Sequence, residues 1–308
     1  MTLPPLRQAL AFAALALALS ACSPLTAFAN LTPTDRAQQA GQGLAYGEAP
    51  RQRLDLYAPP QGAKGAPVAV FFYGGTWEAG RRQDYGWVGR ALAAEGFLAL
   101  APDYRLYPEV AYPSFLEDGA LAVAWAVDNA ARYGGDPSQI VLIGHSAGAY
   151  NAVMLGLDRR YLQAAGVDPS RIRAVAGLAG PYDFLPLEGA TVQAVFGGAG
   201  DLGATQPINQ VTAQAPPAFL ATGDDDSVVL PRNAAALAAA LRAEGVAVET
   251  RVYPDLGHAG ILLALSRPLR GRAPVLEDLS AFLRRHTEPG DGTRDAAAPR
   301  QETRSLTQ

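Results

Sequence analysis

Ile140-Val141-Leu142-Ile143-Gly144-His145-Ser146-Ala147-Gly148 is the stretch from which the rest of the chain can be read. Four apolar residues in a row form a short strand. The five that follow read Gly-x-Ser-x-Gly and lead into a helical segment. A serine in that setting sits on a sharp strand-to-helix turn and takes a strained backbone conformation, so its neighbours must be small. Gly144, Ala147 and Gly148 meet that demand. The turn lifts the Ser146 hydroxyl above the strand and aims the Ala147 amide at the same place.

Outward from this turn, apolar runs alternate with helical patterns. Arg53 to Tyr57 alternates at period two, as in a half-exposed strand, and Pro67 to Tyr73 is continuously apolar, as in a buried parallel strand. Further strands are expected at 97–100, 140–143, 174–178, 218–221 and 246–252, and helices near 83–95, 114–132, 147–157, 231–244 and 275–286. Ser114 is placed as an N-cap with Glu117 completing a capping box, and Pro231 at the first helical position. Such alternation gives an α/β fold with a mostly parallel sheet covered by helices on both faces, and sites in such sheets lie at the carboxyl ends of the strands.

A serine alcohol needs a base to become nucleophilic near neutral pH. The chain has three histidines, which permits elimination. His145 adjoins Ser146, and its place in the turn directs its ring away from the serine. His286 follows Arg284 and Arg285 at a helix end, where an imidazolium would complement the helix dipole. His258 remains, in a Pro/Gly loop just past the strand at 246–252. An acid between Ser146 and His258 in chain order is offered by Asp224-Asp225-Asp226, after the strand at 218–221. Three adjacent carboxylates repel one another, so their roles differ. An oxyanion hole needs amides aimed at developing charge. Tyr73-Gly74-Gly75-Thr76-Trp77 follows a strand end, and the Gly75 and Thr76 amides are assigned to the hole together with that of Ala147.

Composition sets the bounds. The chain has 308 residues, 49% hydrophobic and 18% charged, enough for an extensive core. A net charge of -4 argues against a nucleic-acid binder. One cysteine, Cys22, excludes an intrachain disulfide and a cysteine-based zinc site. Residues 1–21 have a basic start and an apolar run from Ala9 to Leu19, as in a signal peptide, and the run ends Leu19-Ser20-Ala21-Cys22. That ending resembles the lipobox of bacterial lipoproteins. The resemblance implies cleavage before Cys22 and a lipid on its thiol, and Ser23 in place of Asp implies an outer-membrane anchor facing the periplasm. Residues 22–35 read as a lipidated tether, 36–286 as one domain and 287–308 as a disordered tail.

Taken together, Leu54-Asp55-Leu56-Tyr57-Ala58-Pro59, Gly74-Gly75-Thr76-Trp77, Asp103-Tyr104-Arg105-Leu106, Gly135-Asp136-Pro137, Gly144 to Gly148, Gly223-x-x-Asp226-x-x-Val229 and Gly257-His258 resemble the α/β-hydrolase esterases of the hormone-sensitive-lipase-like and feruloyl-esterase-like group. The resemblance implies an α/β-hydrolase fold with a small cap or none. It also implies a Ser146–His258–Asp226 triad, with Asp225 the reserve for the acid, no metal or organic cofactor, and a small-molecule ester as substrate, with short-chain or aryl esters expected. Tyr73 stands where the group has a histidine before its glycines, and Thr222 replaces another before Gly223. Arg105 and Asp136 read as structural. Residues 181–214 would cover the site, with Tyr182, Phe184 and Phe196 available to line a pocket or fill the core. A kynurenine-formamidase-like amidase is the alternative in the same fold, and a catalytically silent binding module the alternative in another class.

Overall fold

The computed structural model describes residues 32–287. The expected signal peptide, Cys22 and the expected tail after Thr287 lie outside the described residues. Eight strands form one sheet: β1 (Gln38–Ala45), β2 (Arg53–Ala58), β3 (Ala66–Phe72), β4 (Leu98–Pro102), β5 (Gly135–His145), β6 (Ile172–Leu178), β7 (Ala218–Gly223) and β8 (Val248–Tyr253). Their order is β1-β2-β4-β3-β5-β6-β7-β8. The pairs β1–β2 and β2–β4 are antiparallel, and the pairs from β4 through β8 are parallel. Val68 to Phe72 are all fully buried. Neighbours along a strand point to opposite faces, so both faces of the sheet are covered.

The covering helices are α1 (Gly86–Ala94), α2 (Ser114–Asn129), α3 (Ala147–Leu157), α4 (Arg159–Ala164), α5 (Ala190–Phe196), α6 (Arg232–Ala243), α7 (His258–Leu263) and α8 (Val275–Thr287). All eleven residues of α3 are buried, which makes it a core helix rather than an amphipathic one. It packs on β3, β5 and β6 directly below the Ser146 turn.

Several local expectations are corrected. Ser114 is the first residue of α2 and not its cap. The Ser114 amide is already tied to the Ala111 carbonyl, and the Pro113 carbonyl takes the Leu116 and Glu117 amides at 2.8 and 3.2 Å, so no capping box forms. Pro231 is the cap residue of α6, one position before the helix, and its carbonyl accepts from the Ala235 amide. Strand β1 is not foreseen, because Gln38–Ala45 is polar and glycine-bearing and owes its order to pairing with β2. The short helices α4, α5 and α7 have six or seven residues, too few turns for apolar periodicity to show. The body also reaches one residue past 36–286 at each end. Asp35 is gripped by both guanidinium nitrogens of Arg270 at 3.0 and 2.7 Å, and Thr287 is buried at the end of α8.

Candidate active site

Ser146 joins β5 to α3 with φ 57° and ψ −126°, a conformation few side-chain-bearing residues adopt. Its amide donates to the Leu178 carbonyl on β6, which pins the turn to the neighbouring strand. The turn also brings α3 hard against β3. A Cβ on Gly148 would lie 2.1 Å from the Phe72 carbonyl oxygen, so this position admits only glycine.

His258 follows the loop after β8 and opens α7. Its Nε2 lies 2.9 Å from Ser146 Oγ and its Nδ1 2.9 Å from Asp226 Oδ2. A carboxylate only accepts, so Nδ1 carries the proton and Nε2 is free to accept from the serine hydroxyl. The Asp226 side chain is fully buried and that of His258 is 14% exposed. The second Asp226 oxygen accepts from the Val228 and Val229 amides, both at 2.9 Å. Burial pushes the Asp226 carboxyl up, but the His258 contact and these two amides outweigh it and hold the group below the usual carboxylate range. Asp224 and Asp225 have exposed side chains. Their amides donate to the Tyr253 and Leu256 carbonyls, which stitches the acid loop to the base loop.

Ser146 opens onto a cleft of about 600 Å³ that Thr76, Trp77, Ala147 and Phe184 also line. Of the three residues assigned to an oxyanion hole, Thr76 and Ala147 therefore share the cleft wall with the serine. Gly75, next to Thr76, has φ 124°, and its carbonyl accepts from the Glu78 and Ala79 amides. A larger groove of about 720 Å³, bounded by Tyr112, Glu117, Arg160 and Asp201, contains no triad residue.

Tyr73, where the resemblance leads to expecting a histidine, forms a buried strut. Tyr73 stacks between Tyr85 and Tyr104, with ring centroids at 5.1 and 4.8 Å. Its hydroxyl donates to Asp103 at 2.8 Å and accepts from Arg51 at 2.9 Å. Arg51 also donates to the Gly80 carbonyl, and Arg82 donates to Asp103 from both backbone and side chain. Both ends of the loop from Tyr73 to Gly80 are thereby fixed. In its middle, Trp77 donates through Nε1 to Asn151 on α3 at 3.0 Å. Arg105 grips buried Asp118 at 2.8 Å, and Asp136 accepts from the Ser138 amide and hydroxyl, both contacts that hold structure.

Of residues 181–214, the part from Pro181 to Val192 lines the cleft, and the segment carries the short helix α5 that the sequence does not announce. The cover is pinned at several points. Asn233 accepts from the Tyr182 and Asp183 amides, Gln206 from the Phe184 amide, and Glu78 from the Thr191 hydroxyl. Phe184 lines the cleft, whereas Tyr182 and Phe196 are fully buried in the core. Asn151, Gln206 and Asn233 have no motif around them that would have marked them.

Burial, with Arg285 and Arg173 nearby, pushes His286 below the usual imidazole range. His145 is fully buried and does turn from the serine, but its ring lies 4.9 Å from that of His258. Its Nε2 is 2.9 Å from the His258 backbone carbonyl oxygen.

Comparison with known proteins agrees with this architecture. The BD-FAE family profile matches residues 54–241, which takes in Ser146 and Asp226 and stops short of His258. A probable isoprenylcysteine alpha-carbonyl methylesterase of Oryza sativa subsp. japonica is 30% identical over 287 residues, 85% of this chain and 66% of the relative. Esterase LipC of Mycobacterium tuberculosis is 32% identical over 262 residues, 78% of this chain and 64% of its own length. The chain thus spans about two thirds of the length of these relatives. Among solved structures, a truncated carbohydrate esterase from gut microbiota superposes with a TM-score of 0.73 at 21% identity, covering 83% of this chain and 99% of that one. A thermostable esterase from Pseudomonas putida ECU1011 gives 0.69 at 22% identity, covering 88% and 90%. At these identities the superpositions speak for the fold.

Proposed function

The chain belongs to the BD-FAE family of α/β-hydrolase esterases, and from that premise we propose that it hydrolyses carboxylic esters through an acyl-enzyme on Ser146. The observation that carries this reading is the unbroken run from Ser146 Oγ through His258 to Asp226, two contacts of 2.9 Å at the head of a cleft. Ser146 Oγ attacks the ester carbonyl as its proton passes to His258 Nε2. Asp226 holds the ring in the required tautomer and stabilises the imidazolium. The Ala147, Thr76 and Gly75 amides are assigned to the negative charge that builds on the carbonyl oxygen. The C–O bond to the alcohol breaks as Nε2 returns the proton to it. Water then gives a proton to Nε2, attacks the acyl carbonyl, and releases the acid as the proton returns to Ser146.

A cleft of about 600 Å³ under a pinned cover favours short acyl or aryl groups over long chains. The methyl ester in the rice relative's name is in keeping with a small group on one side of the scissile bond. The lipobox-like sequence at Leu19–Cys22 supports a diacylglyceryl anchor on Cys22, with the domain held in the bacterial envelope at the periplasmic face of the outer membrane.

The test is hydrolysis of p-nitrophenyl esters of rising chain length, with feruloyl and formyl-aryl substrates beside them, and labelling by a fluorophosphonate. Wild type should label at Ser146 and turn over butyryl faster than palmitoyl esters. Ser146→Ala should lose labelling and about 10⁴–10⁶ in kcat. Wild-type turnover by Ser146→Ala would end the acyl-enzyme reading.

A further inference from the structure

Among the described residues, His145 is the one buried imidazole that the proposed reaction does not use. It nevertheless sits where three parts of the site meet. Its backbone precedes Ser146 in the turn. A Cβ built on Gly74, at the start of the oxyanion loop, would lie 2.9 Å from Ser146 Cβ and 3.3 Å from His145 Nδ1, so that loop runs directly over both residues. Its Nε2 reaches the carbonyl oxygen of His258 at 2.9 Å.

The tautomer follows from that contact. A carbonyl oxygen only accepts, so His145 Nε2 carries the hydrogen and donates it. Nδ1 then holds the lone pair, and it has no hydrogen-bond partner. A buried imidazole with a bare lone pair is neutral, in keeping with burial, and the nearby His258, pushing its pKa down to about 3. The contact is thus a neutral, buried N–H···O=C bond from the residue before the nucleophile to the backbone of the base. The carbonyl it grips belongs to the first peptide of the six-residue helix α7, just past the Pro254–Gly257 loop. Helix α7 is short, and Gly257 before it is permissive, so this bond is a direct restraint on where the His258 ring stands relative to Ser146.

We infer that His145 is a positioning residue: its Nε2–H fixes the His258 backbone, and through it the distance from His258 Nε2 to Ser146 Oγ. The inference rests on the acyl-enzyme reading above. It concerns the chemical steps and not ester binding, because His145 is buried behind His258 and does not line the cleft.

The experiment compares His145→Gln, His145→Asn and His145→Leu with wild type, reading kcat, KM, the rate of fluorophosphonate labelling and the melting temperature. Gln carries an amide N–H at the reach of imidazole Nε2. Asn carries one only at the reach of Nδ1, and Leu carries none. His145→Gln should stay within about threefold of wild type, whereas His145→Asn and His145→Leu should lose about 10–100-fold in kcat and in labelling rate with KM little changed. Should His145→Leu not fold, the Gln and Asn pair carries the comparison. Three variants turning over like wild type, a KM rise at constant kcat, or a Gln variant as slow as the Asn variant at matched melting temperature would each overturn the inference. None of these results touches the ester-hydrolase reading, which stands or falls separately on Ser146→Ala.

Discussion

At the scale of single residues, what distinguishes Asp226 from its two acidic neighbours is burial and donors rather than identity. Its carboxylate is enclosed and receives His258 and two amides, while Asp224 and Asp225 present their side chains to water and contribute only backbone. Asp226→Asn should therefore cost about 10⁴ in kcat, because an amide in that place leaves the imidazole in the wrong tautomer. Asp224→Asn and Asp225→Asn should stay within a few-fold. Steady-state rates on one short-chain ester decide the matter, and a crippled Asp225→Asn would move the acid by one position. Sequence alone leaves the three carboxylates open, since adjacent acids differ only in which way the turn points them. The family spacing names Asp226, and the structure brings it to His258. His145 shows the converse. Elimination sets it aside because its ring faces away from the serine, yet that orientation is what brings it behind His258, and neither periodicity nor motif carries that information.

At the scale of elements, the oxyanion loop illustrates how a departure from a family pattern is accommodated. Tyr73 follows β3 immediately, and its ring is clamped by Tyr85 and Tyr104 while its hydroxyl bridges Arg51 and Asp103. The partners come from three separate stretches of chain, so nothing local to Tyr73 predicts the arrangement. Asp103 and Tyr104 were visible as part of a resemblance but not as the other half of this strut. Tyr73→Phe keeps the stack and removes the bridge. Both bonds involve a charged partner, so about 1.5–3 kcal/mol of stability should go. Turnover should fall less than tenfold, because Arg51 still holds Gly80 and Trp77 still holds Asn151. Calorimetry with kinetics on the same sample checks both halves. An unchanged melting temperature would mean that the hydroxyl bridge is dispensable. The strands and long helices, by contrast, were legible because each carries several periods of its pattern. The two-turn helices and the edge strand β1 take their form from what they pack against.

At the scale of the whole molecule, Asp35 belongs to the folded body, and the proposed lipid attachment lies upstream of it. That residue is the last of the expected tether, and Arg270, next to the C-terminal helix α8, holds it by two bonds. A chain beginning at residue 32 keeps this clamp and should fold and hydrolyse at the full rate. Among the described residues no helix is long and apolar enough to cross a membrane. The attachment proposed above is through a lipid on Cys22, the chain's one thiol. Acyl chains contribute about 0.8 kcal/mol per buried CH₂, and a single chain binds only marginally, so the durable anchor requires the several chains that a lipobox cysteine carries. Full-length protein expressed in a diderm bacterium should incorporate labelled palmitate and sediment with outer membranes. Cys22→Ser should do neither, while its released domain keeps wild-type kcat on short esters. If the Cys22→Ser protein still sediments after a high-salt wash, the attachment lies elsewhere in the chain and the lipobox reading fails, without consequence for the chemistry at Ser146.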